Sequence, residues 1–471
     1  MKIIDKVYIN GEFVTPQGKS VFDLVSPVNQ EIIGRVTLGN KTDAVNAINA
    51  AKEAFKTFSK TSVEQRIQYL QQMLEAVKER AHDLIEAMVK EYGGPLQFSS
   101  ASFQNALNGI QTNIDLLKTY NFSPIYGNTM VQMTPVGVVG IITPWNASNG
   151  FICSKLATAI AAGCTAVIKP SEMSAIQTQI LTECLDHANL PKGVFNIVNG
   201  YGNEVGTELA TNAAIAKISF TGSTVVGKTI AHEGAATVKR ITLEMGGKSP
   251  NIIMPDAILS EAIPNAIAAA FMNSGQACIA ATRLLIHENQ LETIKNLIKE
   301  NVQQLTVGLP WEADTNIGPM VSKKQYQKVQ DYIQLGIDEG AEILIGGLGQ
   351  PKGLEEGNFV KPTVFINVTN SMRIAQEEIF GPVLCIITYK TLNEAIQIAN
   401  DTSYGLSAYI QGTDEEKAKQ IACELEAGRI VINGFKHDPM APFGGFKQSG
   451  IGREFGILGL QSYLEPKAIL I

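Results

Sequence analysis

Apolar positions along the chain follow two rhythms. Val45, Ile48, Ala51, Phe55 and Phe58 recur at spacings of three and four after Thr42-Asp43, which predicts an amphipathic helix. A second helix opens at Ser62-Val63-Glu64-Gln65, a capping-box pattern, and offers Ile67, Leu70, Leu74 and Val77 for burial. A third is expected from Phe103 to Leu117. Ahead of them, Val7-Tyr8-Ile9-Asn10, a turn at Gly11-Glu12 and Phe13-Val14 read as a strand pair.

From Val136 the rhythm changes. Short β-branched runs at 137–142, 165–168, 195–198, 217–220 and 241–243 alternate with helical stretches at 154–162 and 176–188. Strand–helix alternation of this length predicts a parallel sheet with right-handed crossovers. After Gly246-Gly247 a second series begins: helix 262–273, strand 283–286, helix 291–304, helix 323–339 and strand 342–345. The tail from Gln461 to Ile471 ends apolar, as a strand does that pairs with another segment or subunit.

The chain has 471 residues, enough for two to three domains. An apolar fraction of 45% and a charged fraction of 18% are ordinary for a globular protein. A formal net charge of −7 argues against nucleic acid as a partner, because phosphate binding needs a basic field. The longest apolar zone, Val136 to Ile168, is broken by Pro144, Asn146, Ser148, Asn149 and Lys155, so it reads as buried core rather than a membrane span. Six cysteines lack C-x-x-C spacing and five histidines form no H-x-x-x-H pair, so neither metal nor disulfides are expected. The first residues carry charges where a secretory signal would be apolar, and the scattered cysteines suggest a reducing cytosol where a thiolate survives.

Two runs carry candidate chemistry. Cys278 stands after Ser274, Gly275 and Ala277, whose small side chains leave its sulfur approachable. Glu244 stands beside Gly246-Gly247. A thiol nucleophile and a carboxylate base together allow covalent catalysis at a carbonyl carbon. A bland alternative is that Cys278 is a small buried hydrophobe. Three strand ends offer cofactor contacts: Pro144-Trp145-Asn146, Lys169-Pro170-Ser171-Glu172, and Phe220-Thr221-Gly222-Ser223 with Gly227 beyond. Strand C-termini of open parallel sheets bind ligands, and a helix N-terminus suits phosphate. The usual G-x-G-x-x-G is missing, and these glycines also serve simply to turn the chain.

Together these runs resemble the NAD(P)-dependent aldehyde dehydrogenase superfamily. Glu378-Ile379-Phe380-Gly381-Pro382 and Pro442-Phe443-Gly444-Gly445 extend the similarity over nearly the whole chain. The resemblance implies an α/β fold: a Rossmann-like NAD-binding domain (1–116 and 136–246), an α/β catalytic domain (247–446), and a small β oligomerisation flap (117–135 and 447–471). It implies oxidation of a small-molecule aldehyde to a carboxylic acid through a thiohemiacetal and a thioester on Cys278. Asn146 is matched to the oxyanion hole, Glu244 to the base that activates water, and Lys155 to a supporting lysine that relays protons. Thr143, Trp145, Lys169, Glu172, Gly202, Gly222, Ser223, Gly227, Met245, Glu378 and Phe380 are matched to cofactor contacts. Glu172 would repel a 2′-phosphate, so NAD is expected over NADP. The family forms homodimers and homotetramers.

The chain departs from its relatives around the expected aldehyde tunnel. Ala147-Ser148-Asn149-Gly150 and Ser154 stand where many carry bulkier groups. Smaller, more polar walls suggest a wider or wetter entrance, and Lys436 and His437 near its mouth suggest a polar or anionic aldehyde. Two other readings stay open: an acylating enzyme in which coenzyme A replaces water, and a recruited binding protein without turnover.

Overall fold

A computed structural model describes residues 1–435 and 438–470. Its larger sheet has eight strands. The central five, in spatial order Arg240–Glu244, Ile215–Thr221, Val138–Ile142, Thr165–Lys169 and Phe195–Ile197, are parallel. Val138–Ile142 and Thr165–Lys169 are buried along their whole length, because helices cover both faces and leave no solvated side for alternation. The hairpin Val7–Ile9/Glu12–Val14 extends this sheet antiparallel. Its turn is Asn10-Gly11 rather than the expected Gly11-Glu12. Both residues are left-handed, with φ of 54° and 77°, the geometry whose twist suits a two-residue hairpin loop.

The first helices start where their caps dictate. Lys41–Phe58 is capped by Asn40 with Asp43 answering back, and Val63–Glu79 by the expected Ser62/Gln65 box. The second buries Leu70, Met73 and Val77, with Ile67 and Leu74 only half-buried. After a short helix at Ala81–Ala87, the helix expected from Phe103 runs Leu96–Thr119, starting earlier than expected. Its serine-rich first turns resemble a loop in sequence, but Ser99 and Ser100 send their hydroxyls back to the Gly94 and Leu96 carbonyls.

The second sheet has seven strands, in the order Glu342–Ile345, Thr363–Ile366, Val383–Tyr389, Arg283–His287, Pro250–Ile253, Ser407–Gln411 and Arg429–Ile432. Only the first pair is antiparallel. Leu464–Leu470 pairs with Thr129–Pro135 of the same chain, and Ile125–Tyr126 completes an outer three-stranded sheet. Gly450–Ile451 edges the large sheet beside Arg240–Glu244, and helix Gly456–Gln461 packs on Ser148–Ala162 and Leu96–Thr119. Only Leu464 onward joins the outer sheet, because Leu460 and Tyr463 are claimed by the main core.

Candidate active site

The C-terminal edge of the large sheet meets the segments that lead into the second sheet. Helix Leu259–Phe271 ends, and Asn273, Ser274 and Gly275 follow with φ of 51°, 57° and 71°. Of these three consecutive left-handed residues, the two that are not glycine cost about 1 kcal/mol or more apiece. The third must be glycine, since a Cβ there would lie 2.2 Å from the Gly381 carbonyl oxygen. The turn delivers Cys278 half-buried, while Cys153, Cys164, Cys184 and Cys385 are buried and Cys423 is exposed. Just beyond it, the Tyr409 hydroxyl donates to the Ile279 carbonyl at 2.8 Å and accepts from Arg429 at 3.0 Å. Asn146, buried in the turn between Val138–Ile142 and helix Ser148–Ala162, donates one amide N–H to the Gln276 carbonyl at 2.9 Å.

Glu244 ends its strand with 2% exposure, and neither carboxylate oxygen has a hydrogen-bond partner. A buried carboxylate in that state favours its neutral form. Burial therefore holds Glu244 well above the usual carboxylate range. The Glu454 charge pushes the same way, while Lys155 and Arg453 oppose it. Gly444 lies against this carboxylate, where a Cβ would come within 2.8 Å of Oε1. Glu378 docks on the Gly247 N–H at 3.2 Å and is likewise raised by burial. Burial pushes the Cys278 thiol up to about 12, and the charges of Glu378 and Glu244 add to it. The thiol thus feels the charge of both carboxylates, and burial makes each of the three groups harder to ionise than it is in water.

Lys155 sits on helix Ser148–Ala162 and forms a buried ion pair with Glu454; Ser219 bonds to both, at 3.0 and 2.9 Å. The lysine thus reaches Glu244 by its field, with Glu454 as its direct partner.

A groove of about 350 Å³ runs along the same sheet edge. Thr143, Trp145, Lys169, Glu172, Gly202, Gly222 and Ser223 all line it. Lys169 donates to the Pro170 carbonyl at 2.9 Å and to Glu172 at 3.3 Å. Gly222 must be glycine because a Cβ would strike the Phe220 ring at 2.5 Å. Ser223 caps helix Thr224–Ala235, and Val226 and Ile230 add an apolar wall. Gly227 and Met245 lie outside the lining and pack on each other, the methionine sulfur occupying the space of a Gly227 Cβ. Phe380 meets Trp145 edge-on at 5.5 Å, which puts it at one end of the groove.

The expected residues thus gather along one edge. Sequence reasoning missed Glu454 and Ser219, whose partners are remote in the chain, and Ile230, Thr229 and Glu233, which line the groove without a motif. Where the aldehyde tunnel is expected, a Cβ on Gly150 would make ordinary contact with the Ser102 carbonyl at 3.8 Å. Ser154 is buried and bonds back to the Phe151 carbonyl. Lys436 and His437 lie outside the described residues.

Comparison with protein families matches residues 13–469 to the aldehyde dehydrogenase family. A 3-succinoylsemialdehyde-pyridine dehydrogenase of a Pseudomonas species is 42% identical over 472 residues, covering 100% of this chain and 99% of that protein. Aldehyde dehydrogenase C of Pseudomonas syringae, crystallised as a cysteine-to-alanine variant with NAD+ and octanal, superposes with a TM-score of 0.98 at 43% identity, covering 99% of this chain and 96% of that one. Betaine aldehyde dehydrogenase of Staphylococcus aureus, crystallised with NAD+, gives 0.95 at 36% identity, covering 99% and 94%.

Proposed function

Because the chain belongs to the aldehyde dehydrogenase family, we propose that it oxidises an aldehyde to a carboxylic acid with NAD as oxidant. The observation that carries this reading is Glu244: a buried carboxylate without a partner, close enough to a half-buried thiol to raise it.

The groove fits a dinucleotide. Thr143 and Thr221 bring buried hydroxyls to it with no partner of their own. Lys169 and Glu172 would hold the adenosine ribose, and Gly202, Gly222 and Ser223 the pyrophosphate, with Gly227 and Met245 shaping the floor. Glu378 would hold the second ribose and Phe380 flank the ring. Bound NAD supplies the hydride acceptor. The Glu172 carboxylate disfavours a 2′-phosphate.

The chain's own groups account for the rest. Cys278, once ionised, attacks the aldehyde carbon and forms a thiohemiacetal. Asn146 has one N–H committed to Gln276, so its other N–H, with the Cys278 backbone N–H, is the donor for the oxygen that gains charge. Such a donor contributes about 3 kcal/mol in comparable enzymes. Loss of hydride leaves a thioester. Glu244, in its carboxylate form, takes a proton from the water that hydrolyses it. Lys155 supports that step through its field and its pairing with Glu454. Retention of Glu244 favours water over coenzyme A as acyl acceptor.

The finer organisation follows the same reading. Residues 1–116 and 136–246 form the cofactor half and 247–446 the catalytic half. The outer sheet exposes Ile125, Tyr126 and Leu470 beside an open strand edge, which suits pairing with a second copy in a homodimer or homotetramer. A reducing cytoplasm keeps six free cysteines as thiols. The small side chains of Ala147, Ser148 and Gly150 suit a polar or anionic aldehyde; kcat/KM across aliphatic, aromatic and carboxylated aldehydes tests this, and a strong preference for long alkyl aldehydes would reject it.

The defining experiment is NADH formation from propanal. Wild type should form NADH and Cys278→Ala should not; equal signals from both would reject the mechanism. Adding coenzyme A should yield no acyl-coenzyme A.

A further inference from the structure

Tyr92 lies far from the nucleophile in sequence and meets its turn directly. It closes a one-turn π-helix, Met88–Tyr92, and is 1% exposed. Its hydroxyl donates to the Asn273 side-chain oxygen at 2.8 Å and accepts from the Gln276 amide at 3.2 Å. Both hydrogen-bonding functions of a phenol are thereby used. Its ring packs on Trp145 at 5.6 Å.

The two side chains it grips control the turn. Asn273 is left-handed, and its amide donates to the Gln276 carbonyl at 3.0 Å. That same carbonyl accepts the Asn146 amide at 2.9 Å. Gln276 reaches on to the Pro319 carbonyl at 3.3 Å and takes the Val321 N–H at 3.0 Å. The orientation of the Asn146 amide therefore rests on the Gln276 carbonyl, and the Gln276 carbonyl on a strained turn that the Tyr92 hydroxyl closes. A buried amide deprived of its partner shifts to find another, and two left-handed residues next to it have strain to release.

We propose that Tyr92 is a positioning residue that aims the Asn146 amide by locking the left-handed turn ahead of Cys278. The inference rests on the reading of Asn146 as the oxyanion donor. Removing the hydroxyl leaves cofactor binding intact, because Tyr92 does not line the groove, and slows the steps that build charge on the aldehyde oxygen.

A double-substitution cycle tests it. Tyr92→Phe should lower kcat about tenfold, the effect of one buried hydrogen bond, while KM for NAD stays within about twofold. Asn146→Ala should lower kcat by about 10² to 10³. In the Asn146→Ala background, Tyr92→Phe should change kcat by less than about twofold, since the amide it aims is gone. Thermal melting confirms that each variant folds. If Tyr92→Phe does not, Asn273→Gly keeps a left-handed backbone, removes the grip, and should behave alike in the same cycle. A tenfold fall in both backgrounds, or none in wild type, overturns the inference and leaves the role of Asn146 standing. Full turnover by Asn146→Ala overturns both.

Discussion

The proposed cofactor groove and the turn that carries Cys278 share one sheet edge and differ in how their charged groups are paired. In the groove, Lys169 bonds Glu172 and the Pro170 carbonyl, and Ser223 caps its own helix. Around Cys278, Glu244 has no partner, and Glu378 and the thiol are both raised by burial. The difference separates binding from chemistry. Charged contacts that settle each other locally hold a ligand without reacting, whereas groups kept from ionising are ready to move protons.

That contrast predicts a split in kinetics. Cys278→Ala should cut turnover by about a million-fold while NAD affinity, measured by calorimetry, stays within about twofold. A large loss of affinity would mean that the two regions are not separable.

The pH dependence sharpens the same point. With Cys278 raised to about 12, alkylation of the free enzyme by iodoacetamide should rise about tenfold per pH unit between pH 7 and 9, because thiolate is the minor form throughout. Steady-state turnover should also climb with pH, since Glu244 is raised and only its carboxylate accepts a proton. A thiol already ionised at pH 7 would give a flat alkylation profile.

On the groove side, Glu172→Gln should improve the NADP-to-NAD ratio of kcat/KM about tenfold and leave the NAD-saturated rate nearly unchanged. An equal fall in saturated rate would place Glu172 among the chemical groups.

Much of this was legible in sequence, for local reasons. The Ser62/Gln65 box announces its helix because cap and partner are three residues apart. Lys169 and Glu172 pair at the same spacing. Strands 363–366, 383–389, 407–411 and 429–432 were not, because short buried apolar runs carry no period that separates them from helix. Glu454 was invisible because Lys155 is 299 residues away, and Tyr92 because Asn273 is 181 away. Local rules name the ligand-binding turns; only the fold brings together the groups that tune reactivity.

Strain offers the mildest test. Asn273 and Val238 both hold φ near 50°, at 51° and 53°, but Val238 is 78% exposed on a turn away from the site. Val238→Asn should raise stability by about 0.5–1 kcal/mol in thermal melts with activity unchanged, since asparagine tolerates the left-handed region better than a β-branched side chain. A loss of activity would show strain at Val238 to be functional too.

The central claim is that Glu244 serves the thioester on Cys278. Rapid mixing of Glu244→Gln with NAD and propanal, followed by intact-mass measurement, tests it directly. One burst of NADH per site should appear, followed by a steady rate lower by about 10² to 10⁴ and a protein carrying the propanoyl group on Cys278. Wild-type steady turnover without any acyl adduct would contradict it.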